Sequence, residues 1–433
     1  QEKADEIYFA FRRYYASLGS DLNNLDDFLE DLLRFAKYHA AFSIGADSSE
    51  LLREPLARLR RLVDVPAALV MQLYKCHDSF GTISGEEFAE AIGLIESFIF
   101  RRAICGEQTR GYWQVFANLA YRISEDKPFE SLKVGLARLR DNYKYPEDSE
   151  FCKALEEREI YGKRVCFVLL DRLEKHNNKE QVDTSKLTIE HVIPQNERLL
   201  PEWRKMLGDD WREVQRQCLH RLGNLTLTGY NSSYSDRPFH EKKSMPGGLN
   251  ESSVRLNHFI CEQLAWTRAE IETRGKELAR LALQIWPPLY VDQALIDDAK
   301  HQEIRARAER RDVDKVKMSP EAQELFKLLR EKIREIDHDI IELPEDKSVS
   351  YHGSEFFLEV LPRKHRLNLL LALDYNEVDD SAGIAEDATH RKFFFYAKYQ
   401  AGVNVKIWNE DDIDKAMPMI RQAYAVASGR ILD

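Results

Sequence analysis

Thr188-Ile-Glu-His-Val-Ile-Pro-Gln195 is followed by His220-Arg-Leu-Gly-Asn-Leu-Thr-Leu-Thr-Gly-Tyr-Asn231 and then by Phe239-His-Glu-Lys-Lys243. The β-branched and leucine-rich runs read as two strands, and the last segment reads as a helix. An acid and an imidazole thus sit side by side on the first strand, two asparagines follow, and two lysines come last. That order suits metal-assisted cleavage of a phosphodiester. Such a reaction needs a base to make hydroxide, a cation to neutralise developing charge, and donors to fix the phosphate.

Each residue type has a place in that chemistry. His191 is the candidate base, because an imidazole is neutral near working pH. Glu190 and Asn231 offer hard oxygen ligands, which suit magnesium or manganese better than zinc. Lys242 and Lys243 are candidates for holding a neighbouring phosphate. Successive strand residues face opposite sides, so Glu190 and His191 reach one site only where the strand ends or twists. Pro194 and Asn196 make an end there plausible.

The stretch from Leu187 to Ser244 resembles an HNH nuclease core of the ββα-metal type, specifically the nuclease half of GmrSD-type type IV restriction enzymes. The matching residues are Glu190-His191 with Pro194-Gln195, His220-x-Leu-Gly-Asn224-Leu-Thr-Leu, Asn231, Phe239 and Lys242. The resemblance implies His191 as general base, Glu190 and Asn231 as ligands of a single Mg2+ or Mn2+ ion, and Asn224 as the residue that orients the base. Glutamate stands before the histidine where many HNH proteins have aspartate. Glu197 to Cys218 is an insertion that reads as one or two amphipathic helices built on Trp203, Met206, Leu207, Trp211 and Val214, packed beside the site. His220 reads as structural, hydrogen-bonded beneath the site, and Phe239 as a packing anchor.

The chain has 433 residues, 43% hydrophobic and 32% charged, enough for two to four domains. No apolar run is long enough to span a membrane, and a cytoplasmic protein is expected. The six cysteines form no Cys-x-x-Cys pair, which argues against a zinc ribbon or a disulfide framework. A net charge of −11 is awkward for a nucleic-acid enzyme. Arg212, Arg216, Arg221, Arg237, Lys242 and Lys243 nevertheless gather around the motif. A local basic face on an acidic molecule is therefore expected, with Arg221, Arg237, Lys242 and Lys243 touching DNA.

The expected fold is mainly α with the embedded ββα-metal core and a C-terminal α+β domain. Residues 1–177 read as a helical domain, broken near Gly45, Asp64, Gly81, Cys105 and Lys127-Pro128. Its Arg101-Arg102 pair reads as salt-bridged structure rather than a DNA contact. Residues 178–290 are the nuclease domain and 291–318 a charged helix or linker. Residues 319–433 are an accessory domain with a helix over 320–336, strands over 355–361, 366–373, 392–399 and 403–408, and a last helix over 411–427. It resembles an uncharacterised domain at the C-terminus of some restriction-like proteins. The run Phe393-Phe394-Phe395-Tyr396 reads as core packing, with an aromatic cage for a modified base as the alternative.

Single-chain members of the family carry an NTP-using domain ahead of the helical region. No such motif is found here, and no Gly-x-x-x-x-Gly-Lys-Ser/Thr loop. With Gln1 at the start, the expectation is the C-terminal part of a longer enzyme, a metal-dependent DNA endonuclease directed against modified phage DNA. The alternative is a catalytically inactive, nuclease-like scaffold that binds DNA or a protein.

Overall fold

A computed structural model of the chain describes residues 7–17, 22–47, 49–391 and 402–429. They fall into two compact units, Gln1–Val291 and Asp292–Asp433.

The first unit is mainly helical, and its helices start and stop on local signals. The long Gly85–Cys105 helix opens on a capping box, in which Ser84 accepts from the Glu87 amide and the Glu87 side chain accepts from the Ser84 amide. It closes at Gly106, whose φ of 77° is the left-handed conformation that ends helices. Phe88, Ile92, Ile95 and Ile99 recur along its buried face.

Within this unit lies a two-stranded antiparallel sheet. β1 (Thr188–His191) pairs with β2 (Leu225–Thr228), with Glu190 opposite Thr226 and His191 opposite Leu225. The Phe239–Ser244 helix follows in sequence. Leu225 and Leu227 of β2 belong to the same core as Phe98, Leu119 and Leu170 of the preceding helices. Val192 and Ile193, just after β1, belong to a second core with Trp203, Phe239 and Trp266. The strand pair is therefore held between two apolar clusters, which leaves little freedom at its ends.

Residues on both sides of position 177 share one core. The helices before it and the strands after it bury one another, and the ring of Phe100 stacks on Trp286 at 3.7 Å. Arg101 and Arg102 are fully buried. Arg101 donates to the carbonyls of Pro146 and Trp286 and pairs with Asp148, while Arg102 donates to Tyr112 Oη and to the carbonyls of Gln108, Asn142 and Lys144. They fasten the helices and do not face solvent. The insertion forms the helices Pro201–Leu207 and Trp211–Cys218, and Trp203, Leu207 and Val214 pack into the second core beside the strand pair.

The second unit carries a six-stranded antiparallel sheet, β3 (Ile341–Pro344), β4 (Val349–His352), β5 (Phe356–Pro362), β6 (Leu367–Leu371), β7 (Ala385–Asp387) and β8 (Val403–Ile407), in the order β3-β4-β5-β6-β8-β7. The Pro320–Arg334 and Glu410–Ser428 helices share its core. The stretch expected over 291–318 as a charged helix or linker holds a helix over Gln293–Glu309 that packs on β3. Arg307 and Arg311 of this stretch pair with the buried Glu345. The strand expected over 392–399, with its aromatic run, lies outside the described residues.

Among the described residues, no helix is long and apolar enough to cross a membrane. All six cysteines are free thiols.

Candidate active site

β1 ends in Glu190 and His191, and both are buried. Their contacts follow the strand's alternation. Glu190 turns to the Phe239–Ser244 helix, where Lys242 Nζ lies 2.6 Å from its Oε1. The His191 ring meets a different set of partners. Its Nε2 is 3.1 Å from His220 Nδ1, its Nδ1 is 3.0 Å from Gln195 Nε2, and Tyr161 sets its ring edge-on at 4.3 Å. Tyr161 also stacks on His220. Among the described residues, the two side chains share no hydrogen-bond partner.

Burial governs the electrostatics. It is the first cause that pulls the His191 imidazole down to about 3, with His220 and Lys242 pulling the same way. His191 is therefore neutral at pH 7. Burial also pushes the Glu190 carboxyl up and the Lys242 ammonium down, each against the pull of the other.

Asn224, expected to orient the base, makes its contacts with backbone groups and with the Trp266 indole. Its Oδ1 accepts from the Ile193 amide at 2.9 Å and from Trp266 Nε1 at 3.1 Å, and its Nδ2 donates to the Leu219 carbonyl. Its own carbonyl accepts from the Val192 amide. Asn224 thus fixes the chain immediately after His191 and not the ring itself. The preceding Gly223 is needed for close approach, since a Cβ there would lie 2.0 Å from the Ile271 carbonyl oxygen. Arg274, fully buried on the Arg268–Ile285 helix, donates to the carbonyls of Gly223, Leu225 and Leu256 and so brackets Asn224.

The other expected residues are placed less simply. Asn231 is half-buried, and its Nδ2 donates to the Ile189 carbonyl at 2.8 Å and more weakly to Thr188 Oγ1. It therefore touches the start of β1, while Glu190 and His191 end that strand. Lys242 is buried and internally paired, which corrects its expected role as a DNA contact. Lys243 donates to the Gln263 carbonyl and lies over the Phe239 ring. Arg237 is half-exposed and pairs with Glu241. Arg221 is partly buried, and its Nε has no hydrogen-bond partner among the described residues. Arg212 lies over Trp211, and Arg216 pairs with Glu213.

A divalent ion on Glu190 and Asn231 does not fit these positions. Glu190 Oε1 is already held by an ammonium in a buried pair, and Asn231 turns its amide nitrogen to the other end of the strand. Sequence reasoning missed Gln195 and Tyr161 as partners of His191 and missed Arg274. Gln195 lay within the quoted motif, whereas Tyr161 and Arg274 carry no local signal.

Residues 145–281 match the family model for GmrSD restriction endonucleases, C-terminal domain. Residues 313–427 match a domain of unknown function, DUF5655. A search among curated proteins found no match for the chain.

Proposed function

We propose that this chain is a DNA endonuclease of the HNH type, the effector part of a restriction enzyme that acts on modified foreign DNA. The observation that carries this reading is the match of residues 145–281 to the GmrSD C-terminal domain, with His191 inside it at a strand end whose following backbone Asn224 holds. In a phosphodiester hydrolysis, His191 takes a proton from water, the resulting hydroxide attacks phosphorus, and the bond from phosphorus to the 3′ oxygen breaks, so that the 3′ oxygen leaves and takes up a proton to give 5′-phosphate and 3′-hydroxyl ends.

A base held down to about 3 is too weak for this work near neutral pH. Because burial is the first cause, admitting water and a phosphate beside the ring restores its basicity. Water must then take the place of His220 or Gln195 at one ring nitrogen. Arg237 and Lys243 remain the cations best placed to meet a phosphate on the face of the Phe239–Ser244 helix, since Arg237 is half-exposed and its partner Glu241 is itself at the surface.

One observation favours a second reading. Glu190, His191 and Lys242 are all satisfied within the chain, as they would be in a scaffold that binds DNA without cutting it. Nicking of modified and unmodified plasmid, with Mg2+, Mn2+ or EDTA, separates the two readings. Cleavage by the wild type that is lost in His191→Ala supports the enzyme. DNA binding with no cleavage under any condition supports the scaffold.

A further inference from the structure

Gln195, His191 and His220 form one hydrogen-bonded row. Gln195 Nε2 lies 3.0 Å from His191 Nδ1, and His191 Nε2 lies 3.1 Å from His220 Nδ1. An amide nitrogen can only donate, so His191 Nδ1 accepts and carries no proton. The proton of the neutral ring is then on Nε2, from which it is donated to His220 Nδ1. A neutral His220 therefore carries its own proton on Nε2. The row has a single polarity, from the carboxamide through the buried ring to His220.

The two rings differ in their surroundings. His191 is 3% exposed, and burial disfavours a charge there. His220 is half-buried, and among the described residues its ring makes no hydrogen bond other than the one to His191. Tyr161 stacks on His220 with the ring planes 8° apart and the centroids at 5.3 Å, so a cation on His220 lies over an electron-rich face. The backbone holds this ring in place as well, because the His220 carbonyl accepts from the Ile160 amide at 3.0 Å. A positive charge is thus better placed on His220 than on His191. At the other end of the row Gln195 is exposed, so its carboxamide can swing aside and let a water reach His191 Nδ1.

We propose that His220 is a positioning residue that also receives the proton of the general base, so that positive charge forms on His220 instead of on the buried His191. The proposal rests on the nuclease reading. In the step, Gln195 moves aside and a water donates to His191 Nδ1. The water O–H bond breaks and an Nδ1–H bond forms, while His191 Nε2 passes its proton to His220 Nδ1. The electron pair of the hydroxide forms the new bond to phosphorus, the bond to the 3′ oxygen breaks, and that oxygen takes up a proton from solvent. His220 is then an imidazolium with a proton on each nitrogen. Once product has left, the transfer runs backwards and His191 Nδ1 gives the proton to solvent, which returns the row to its first state.

His220→Asn tests the relay in the full chain. A carboxamide oxygen then stands in for His220 Nδ1, and it can accept from His191 Nε2 but cannot carry the proton away. With circular dichroism and DNA anisotropy at wild-type values, plasmid nicking at saturating DNA is expected to fall at least about tenfold, within what proton-transfer help is worth. Nitrogen-detected NMR at pH 7 is expected to show His191 protonated on Nε2 in wild type and in His220→Asn, which means that the ring is still held. Nicking by His220→Asn at the wild-type rate overturns the relay and leaves the nuclease reading standing. A loss that comes with the His191 proton moving to Nδ1 also overturns it, since His220 then only selects the tautomer. Should His220→Asn not fold, the same NMR measurement on wild type decides: a bare Nδ1 with the proton on Nε2 supports the relay, and a proton on Nδ1 overturns it. A wild type that nicks no DNA under any metal condition is a different failure, because it removes the nuclease reading and the relay with it.

Discussion

His191 Nε2 and His220 Nδ1 lie 3.1 Å apart, so one of the two must donate and the other accept. Two protonated nitrogens at that distance would repel, which holds His191 neutral together with its burial. Its imidazole protonates near 6.5 in an unfolded chain and near 3 in the fold. Between those values the unfolded state binds more protons, so stability of the first unit falls as pH drops from 6.5 towards 3. The slope contributed by this one group is about 1.4 kcal/mol per pH unit. Nitrogen-detected NMR of the imidazoles is expected to show no titration of His191 between pH 5 and 8. A midpoint near 6.5 would contradict the closed arrangement.

His191→Ala is expected to lower plasmid nicking by at least about 100-fold, the usual scale for losing a general base. DNA affinity, measured by fluorescence anisotropy, stays near the wild-type value, because the ring is buried and touches only its own chain. A variant that nicks at the wild-type rate takes His191 out of the chemistry.

The strand pair was legible because its signals are local. Thr188 to Ile193 and Leu225 to Thr228 are dense in β-branched and leucine residues and are closed off by Pro194 and Gly229. In the second unit, β5, β6 and β8 were readable for the same reason. β3, β4 and β7 were missed, since β7 is three residues of mostly polar sequence and β3 ends in proline. What stayed hidden depends on contacts between distant residues. A lysine late in a short helix reads as solvent-seeking, and only the fold reveals that the core around Phe239 buries Lys242 against Glu190. The core shared across position 177 stayed hidden in the same way, because periodicity shows that Leu225 and Leu227 are buried but not which helices cover them.

Asn224→Ala is expected to behave differently from His191→Ala. It leaves the Ile193 amide and the Trp266 indole nitrogen buried without an acceptor. Each such loss is worth about 1–3 kcal/mol. Urea unfolding of the full chain should therefore show the first unit weakened by about 2–6 kcal/mol, with nicking reduced alongside it. Asn224→Asp keeps the shared acceptor but loses the donor to the Leu219 carbonyl, so it should fall between wild type and Asn224→Ala. Wild-type stability in Asn224→Ala would mean that this side chain does not hold the strand end.

Arg274 holds the backbone on both sides of Asn224. Its guanidinium is fully buried, and burial pulls it down to about 9, so it is still a cation at pH 7. Its hydrogen bonds go to backbone carbonyls, and two of them, Gly223 and Leu225, flank Asn224. A buried cation paired only with carbonyls persists because the planar fork serves several acceptors at once. Arg274→Met removes every one of these donors and is expected to destabilise the first unit by about 3 kcal/mol or more. Arg274→Lys offers a single ammonium in place of the fork, so it can serve fewer of the carbonyls and should recover only part of that loss. If the fork also positions Asn224, Arg274→Lys will nick more slowly at saturating DNA even at temperatures where circular dichroism shows it fully folded. Full nicking by folded Arg274→Lys would confine Arg274 to stability.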